Sequence, residues 1–405
     1  MLFSAGNARA ASPAPTPAPS GLRPKATRVA CSFRHPLCVS IVAGTNGAAP
    51  LDVIASADRM WDVAVGALDL PAPDADDATG AYDLYLAPNV ERGTQTFAAR
   101  RDPIARFDRA SAFSWLDAGL RGSALDHAVA RSIFHAIAFR LSPGTDPTTM
   151  ESEAVSLADL AVPSAHGHDV FFESRPDRAL SDAFPDAPAL AWPFADGASF
   201  FYSWLDARYA NQPGGFVRAS WALTPTESPI DSPAFGTEPD VFDVLRMTFR
   251  PTNGGLDYGQ FLLDFAIARA TDPNENARHE WDVDWPTSPR TLAPALPIAP
   301  TGSSYVLVRR RGAAPGAKLR VEATWEEHAS LRWAAIKVDA NGEEIARIPI
   351  AGQTKQTSTA ITLDDLDKSA AVLLVATNVG DDDAPFEPET PVQEPHGWLL
   401  SIRSE

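Results

Sequence analysis

The sequence predicts a multidomain protein with a mainly α-helical first domain followed by an antiparallel β-sandwich. Three observations carry this reading. Apolar residues recur at helical spacing over much of 51–270, the proline-rich stretch PTSPRTLAPALPIAP fills 286–300, and beyond it the pattern changes to short β-rich runs. With 405 residues and 45% apolar content, the chain can bury more than one core. The expected organisation is a flexible Ala/Pro/Ser-rich tail over 1–30, a helical domain over 31–285, a linker over 286–302 and a sandwich over 303–405.

The opening MLFSAGNARAASPAPTPAPSG has no charged start and no apolar run of roughly 7–15 residues, so it is not a complete secretory signal. Ala8-Arg9-Ala10 nevertheless has the small-x-small form of a signal cleavage site, which points to export with the hydrophobic part of the signal upstream of this start. Cys31 and Cys38 are the two cysteines, and their closeness suggests a small disulfide loop suited to an oxidising compartment; two free thiols are the alternative. Secretion or a cell-surface location is therefore expected.

Strands are expected at 39–43 and 82–86, and a helix at 51–68 behind Pro50. Ser123 with Asp126 resembles a capping box for a helix over 124–141 that ends before Pro143-Gly144. Its apolar residues, among them Leu125, Val129, Ile133 and Ile137, surround it almost completely, so it should be the central buried helix. Further helices are expected at 148–160, 197–209, 215–223, 240–248 and 258–270. Beyond the prolines come seven β-rich runs between 304 and 402, with Asn341-Gly342 as a hairpin turn, and this spacing suggests a sandwich.

The formal charge of −18 would repel a phosphate backbone and argues against nucleic acid as a partner. No stretch reaches the roughly 20 apolar residues of a transmembrane segment. Neither observation excludes a protein or peptide ligand.

Several segments together resemble a bacterial family of secreted zinc metalloproteases of the HExxH-plus-glutamate, gluzincin-like type. LDVIASADRMWDVAVGALDLPAPDADDATGAYDLYL is similar to that family's amphipathic helix, acidic loop and strand, and AVARSIFHAIAF sits where the family has a helix reading roughly AHELFHAVQ. ESEAVSLADLAVP, FFESRPDRAL and ASFFYSWLDARYA resemble later pieces in the same order. The resemblance implies a helical catalytic core with a terminal β-sandwich. It also implies two histidines one helical turn apart on one Zn²⁺, with a glutamate beside the first to deprotonate the bound water. Carried over, the first histidine falls on Arg131, the catalytic glutamate on Ser132, the second histidine on His135 and the glutamate ligand on Glu151. Two of the four are replaced, and a guanidinium stays protonated and cannot ligate a metal. The chain is thus expected to be a degenerate member, a non-catalytic pseudoprotease with a binding or surface role and no cofactor. If the two helices pack as in the family, Arg131 is expected to reach Glu151 with His135 alongside, so that an ion pair stands where the family holds zinc; Arg131 turned to solvent with Glu151 exposed is the alternative.

The sequence holds other groups with the composition of a site. His127 is two helical turns from His135, too far to share a metal. His166, His168 and Glu173 form the alternative zinc site, which would make the chain an active hydrolase; a purely structural surface protein is the third reading. Asp381, Asp382 and Asp383 could hold Ca²⁺, against an acidic turn with no ion. Trp325, Trp333 and Trp398 could stack on a sugar, against a place in the core. The chain has no G-x-S-x-G elbow and no glycine-rich phosphate loop.

Overall fold

The structure, a computed structural model, describes residues 16–18, 22–76, 79–102, 105–163, 170–182, 184, 187–227, 233–250, 257–271, 278–327, 329–351, 356–380 and 395–405. In chain order, the strands and helices before the sandwich are β1 (Ala26–Cys31), β2 (Leu37–Val42), α1 (Pro50–Trp61), β3 (Tyr82–Ala87), β4 (Thr94–Arg101), β5 (Ala110–Asp117), α2 (Gly122–Leu141), α3 (Pro147–Ala161), α4 (Val170–Ser174), α5 (Ala191–Tyr209), α6 (Gly215–Leu223), α7 (Val241–Thr248) and α8 (Tyr258–Thr271). Then follow β6 (Trp281–Asp284), β7 (Arg290–Leu292), β8 (Ser303–Arg309), β9 (Leu319–Trp325), β10 (Leu331–Val338), β11 (Glu344–Ala351), β12 (Ser358–Leu363), β13 (Ala371–Asn378) and β14 (Trp398–Ser404). The described residues fall into two compact units, one within 13–168 and 195–244, the other within 169–194 and 245–405.

The first unit corrects the expectation of a mainly helical domain. It contains a five-stranded sheet of order β1-β2-β3-β5-β4, in which β2, β3 and β5 run parallel and the two edge strands antiparallel. The reason lies in β4 and β5, TQTFAARR and ASAFSWLD, which mix small and polar residues and lack the Val/Ile-rich run that marks a strand in a sequence. Cys31 and Cys38 face each other across β1 and β2 and are joined by a disulfide, with Cα atoms 4.0 Å apart.

α2 is buried from His127 through Ala138. Its start differs from the expected capping box, because the first turn opens from Gly122 at φ +55° with no side-chain cap. Asp126 is taken instead by α1, accepting from Ser56 Oγ at 2.5 Å and Arg59 at 2.6 Å. The expected single helix over 51–68 is α1 followed by a wider π turn, Asp62–Ala67. α3 begins with Asp146 as its N-cap, the carboxylate accepting from Thr149 N at 2.9 Å, and Pro147 in the first position, where a missing N–H costs nothing.

The second unit is built on two sheets, β11-β10-β13-β8-β6 and β12-β9-β14-β7. All their pairings are antiparallel except β6 with β8. The core between the sheets includes Val321, Leu331, Leu374 and Leu400, together with Trp325, Trp333 and Trp398. These three rings pack on one another, with centroids 6.4 and 5.6 Å apart in sequence, so they belong to the core and offer no sugar-stacking face. α8 covers the outer face of the five-stranded sheet with Leu263, Ala266 and Ile267. The segment expected as a linker contributes structure of its own. Its prolines flank β7, a three-residue edge strand where a missing N–H is tolerated, and Ile298 pairs with His396 and is fully buried.

Candidate functional site

Arg131, Ser132 and His135 share α2, and Glu151 comes from the facing turn of α3. The short connection between these helices makes them an antiparallel pair, so the C-terminal half of α2 meets the start of α3. Glu151 is fully buried, and Arg131 and His135 are each only 7% exposed. The Arg131 guanidinium makes an ion pair with Glu151 Oε1, and His135 Nε2 lies 2.9 Å from Glu151 Oε2. Both carboxylate oxygens are thus engaged from α2. Burial alone would raise the Glu151 pKa, but Arg131 and His135, with Arg92 behind them, outweigh it and hold the carboxyl down to about 2. Arg131 also donates to the Arg92 carbonyl at 3.5 Å, and Arg92 sits in the left-handed region at φ 55°.

Ser132 is turned to other work. Its Oγ donates back to the Ala128 carbonyl at 2.8 Å and meets Thr94 Oγ1 at 2.5 Å, while its own carbonyl accepts from Tyr82 OH at 2.9 Å. The position to which the resemblance assigned a general base is thus a hydroxyl built into the contact between α2 and the sheet. It has no carboxylate to accept a proton from water.

The structure brings Arg131, Ser132, His135 and Glu151 together at one crossing of α2 and α3, but their chemistry does not fit a catalytic zinc. One imidazole and one carboxylate fall short of three protein ligands, and the cation of Arg131 lies against the carboxylate oxygen that would bind the metal. His127 lies apart from this group and pairs with Asp159 on α3 at 2.9 Å, a second polar rung between the same helices. Of the alternative zinc site, Glu173 lies on α4, its backbone carbonyl accepting from Arg278 N at 3.0 Å, while His166 and His168 lie outside the described residues. Asp381, Asp382 and Asp383 also lie outside them.

Two features were not read from the sequence. Glu238, Asp240 and Asp243 each bring a carboxylate oxygen within 4.8 Å of the others. Two of them are accounted for by helix capping: Asp243 N donates to Asp240 Oδ1 at 2.9 Å and Asp240 N to Asp243 Oδ2 at 3.4 Å. The other feature is Glu153, two residues after Glu151 and 1% exposed, which accepts from Trp221 Nε1 at 2.8 Å through Oε2 and has no partner for Oε1. Burial, against the Trp221 bond and with the Asp146 charge adding, raises its pKa to about 8. The helical pattern marked this residue only as one more polar position on α3, and no spacing in the sequence pairs it with Trp221.

No family model and no curated protein matches the chain. Among solved structures it is similar to the pre-peptidase C-terminal domain of a collagenase from Bacillus anthracis, at 10% identity and a TM-score of 0.20, over 32% of this chain and 99% of that one. It is also similar to the infectious bursal disease virus VP2 subviral particle, at 9% identity and a TM-score of 0.17, over 29% of this chain and 33% of the viral chain. At these scores neither likeness bears on the site. Among the described residues no helix is long and apolar enough to cross a membrane.

Proposed function

We propose that the chain is an exported, non-catalytic relative of the zinc metalloproteases it resembles, in which an ion pair has replaced the metal as the link between two core helices, and that its role is binding at or beyond the cell surface. The observation that carries this reading is the buried Arg131–Glu151–His135 contact. It supplies the compensating charge that a buried carboxylate needs and leaves neither a ligand set for zinc nor a base for water. The Cys31–Cys38 disulfide supports an oxidising destination, since such bonds persist outside the reducing cytosol. A protein or peptide is the ligand class this reading favours.

Protease assays on the purified chain test it. No cleavage of casein or of a peptide library is expected, with or without added zinc. Cleavage abolished by a chelator and also by Glu151→Gln would overturn the reading at this site, and chelator-sensitive cleavage that survives Glu151→Gln would move the chemistry to the region of Glu173.

A further inference from the structure

α8 opens from Asp257, whose side chain accepts from Gln260 N at 2.7 Å and whose carbonyl accepts from Phe261 N at 2.9 Å. This cap does not take the N–H of Gly259, which lies at the positive end of a 14-residue helix. Arg332 of β10 rests on the same turn. A Cβ on Gly259 would stand 2.6 Å from Arg332 Nε and 3.1 Å from its Cζ, so the glycine is what lets a guanidinium lie against the backbone there.

Arg332 is 8% exposed, and its Nη1 is buried with no hydrogen-bond partner. Asp257 does not meet that need, because its carboxylate lies 4.0 Å from Nη2, beyond hydrogen-bond reach. A second guanidinium stands at the neighbouring residue. Arg246 lies 4.8 Å over the Tyr258 ring, donates to the Val379 carbonyl at 3.4 Å and keeps its Nε buried without a partner. Buried donors of this kind call for an acceptor. Arg246 and Arg332 against Asp257 leave a single positive charge in excess, to which the helix end adds roughly half a charge. That balance suits a monoanion, whereas a dianion would exceed it and be repelled by Asp257.

We propose that the start of α8 is a carboxylate-binding site, in which Arg332 and Arg246 donate to the ligand's oxygens above the Gly259 N–H. A planar carboxylate matches the guanidinium fork, and the site reaches the surface at Asp257, whose side chain is 37% exposed. All these residues belong to the second unit, and the site does not depend on the chemistry at Arg131 and Glu151.

Titration of the full chain with sodium acetate, exchanged for chloride at constant ionic strength, tests this. The side-chain ¹⁵N–¹H signals of Arg332 and Arg246 should shift saturably in the millimolar range, a reading that needs no variant, and the melting temperature should rise over the same range. Arg332→Gln should abolish the response, and Arg246→Gln, at a partly exposed position, should weaken it about tenfold, the worth of one charge-assisted hydrogen bond. A short peptide with a free C-terminus and its amidated form tell the source of the carboxylate: displacement of acetate by the free form alone assigns the site to a peptide end, and displacement by neither assigns it to a small acid. Arginine signals that do not saturate, variants that respond as the wild type does, displacement by the amidated peptide, or sulfate bound more tightly than acetate would each overturn the site.

Discussion

Glu151 and Glu153 stand two residues apart on α3, both sealed from water, and their carboxyls go opposite ways. Burial pushes each upward from an ordinary value of 4.5, but Glu151 ends at about 2 and Glu153 at about 8. The difference is what each meets across the helix. Glu151 meets Arg131 and His135 of α2, and Glu153 meets the indole N–H of Trp221 and the charge of Asp146. A neutral donor satisfies one oxygen without offsetting the cost of a buried charge, whereas a cation offsets that cost. The carboxyl facing cations is anchored as an anion, and the one facing none is anchored as an acid.

The largest effect should come from removing the cation on the Glu151 side. Arg131→Ala should destabilise the chain by about 3–5 kcal/mol in chemical denaturation at neutral pH, since it orphans a buried carboxylate. A loss under about 1 kcal/mol would mean the pair is worth no more than one on the surface.

The pH dependence of stability should carry both signs. Glu151 has a depressed pKa, so its contribution is present above about pH 4.5 and lost as pH falls toward about 2. Glu153 has a raised pKa, so its contribution is complete below about pH 4.5 and lost as pH rises through about 8. Denaturation midpoints of Glu151→Gln should lose the acid limb and those of Glu153→Gln the alkaline limb, each by a few kcal/mol across its window. If both variants lost the same limb, the contrast between the two sites would collapse.

Smaller effects sharpen the same contrast. Trp221→Phe should cost about 1–2 kcal/mol at pH 5, where it leaves a protonated Glu153 without its donor. Ser132→Ala should cost no more than about 1 kcal/mol, because Thr94 Oγ1 keeps the Trp115 carbonyl at 2.9 Å as a partner. A much larger loss there would give Ser132 a role beyond joining helix to sheet.

The two sites also differ in how far the sequence revealed them. Arg131, His135 and Glu151 were legible through the resemblance, which carries the positions of a metal site onto them and so aims a cation at 131 toward an acid at 151. Glu153 and Trp221 are far apart in sequence, and nothing short of the fold places one beside the other. The same distinction runs through the architecture. α2, α3, α6, α8 and the seven strands after residue 303 announce themselves by local periodicity. Of the five-stranded sheet, β2 and β3 were expected but β4 and β5 were not, because these two are rich in alanine and hydroxyl residues, and those hydroxyls have a use only in the assembled unit, where Tyr82, Ser114, Thr94 and Ser132 bond to one another. The prolines of 286–300 were equally misleading as a linker, since proline excludes a central strand but not a short edge strand with buried neighbours.

The proposal that an ion pair stands in place of a metal is most directly tested by thermal melts with and without added zinc. The wild-type chain should melt at the same temperature in both conditions, and Arg131→His/Ser132→Glu should gain a zinc-dependent rise, because that pair of changes would place two imidazoles and a carboxylate base around Glu151. A wild-type melting temperature that rises with zinc, and no longer rises in Glu151→Gln, would contradict the account.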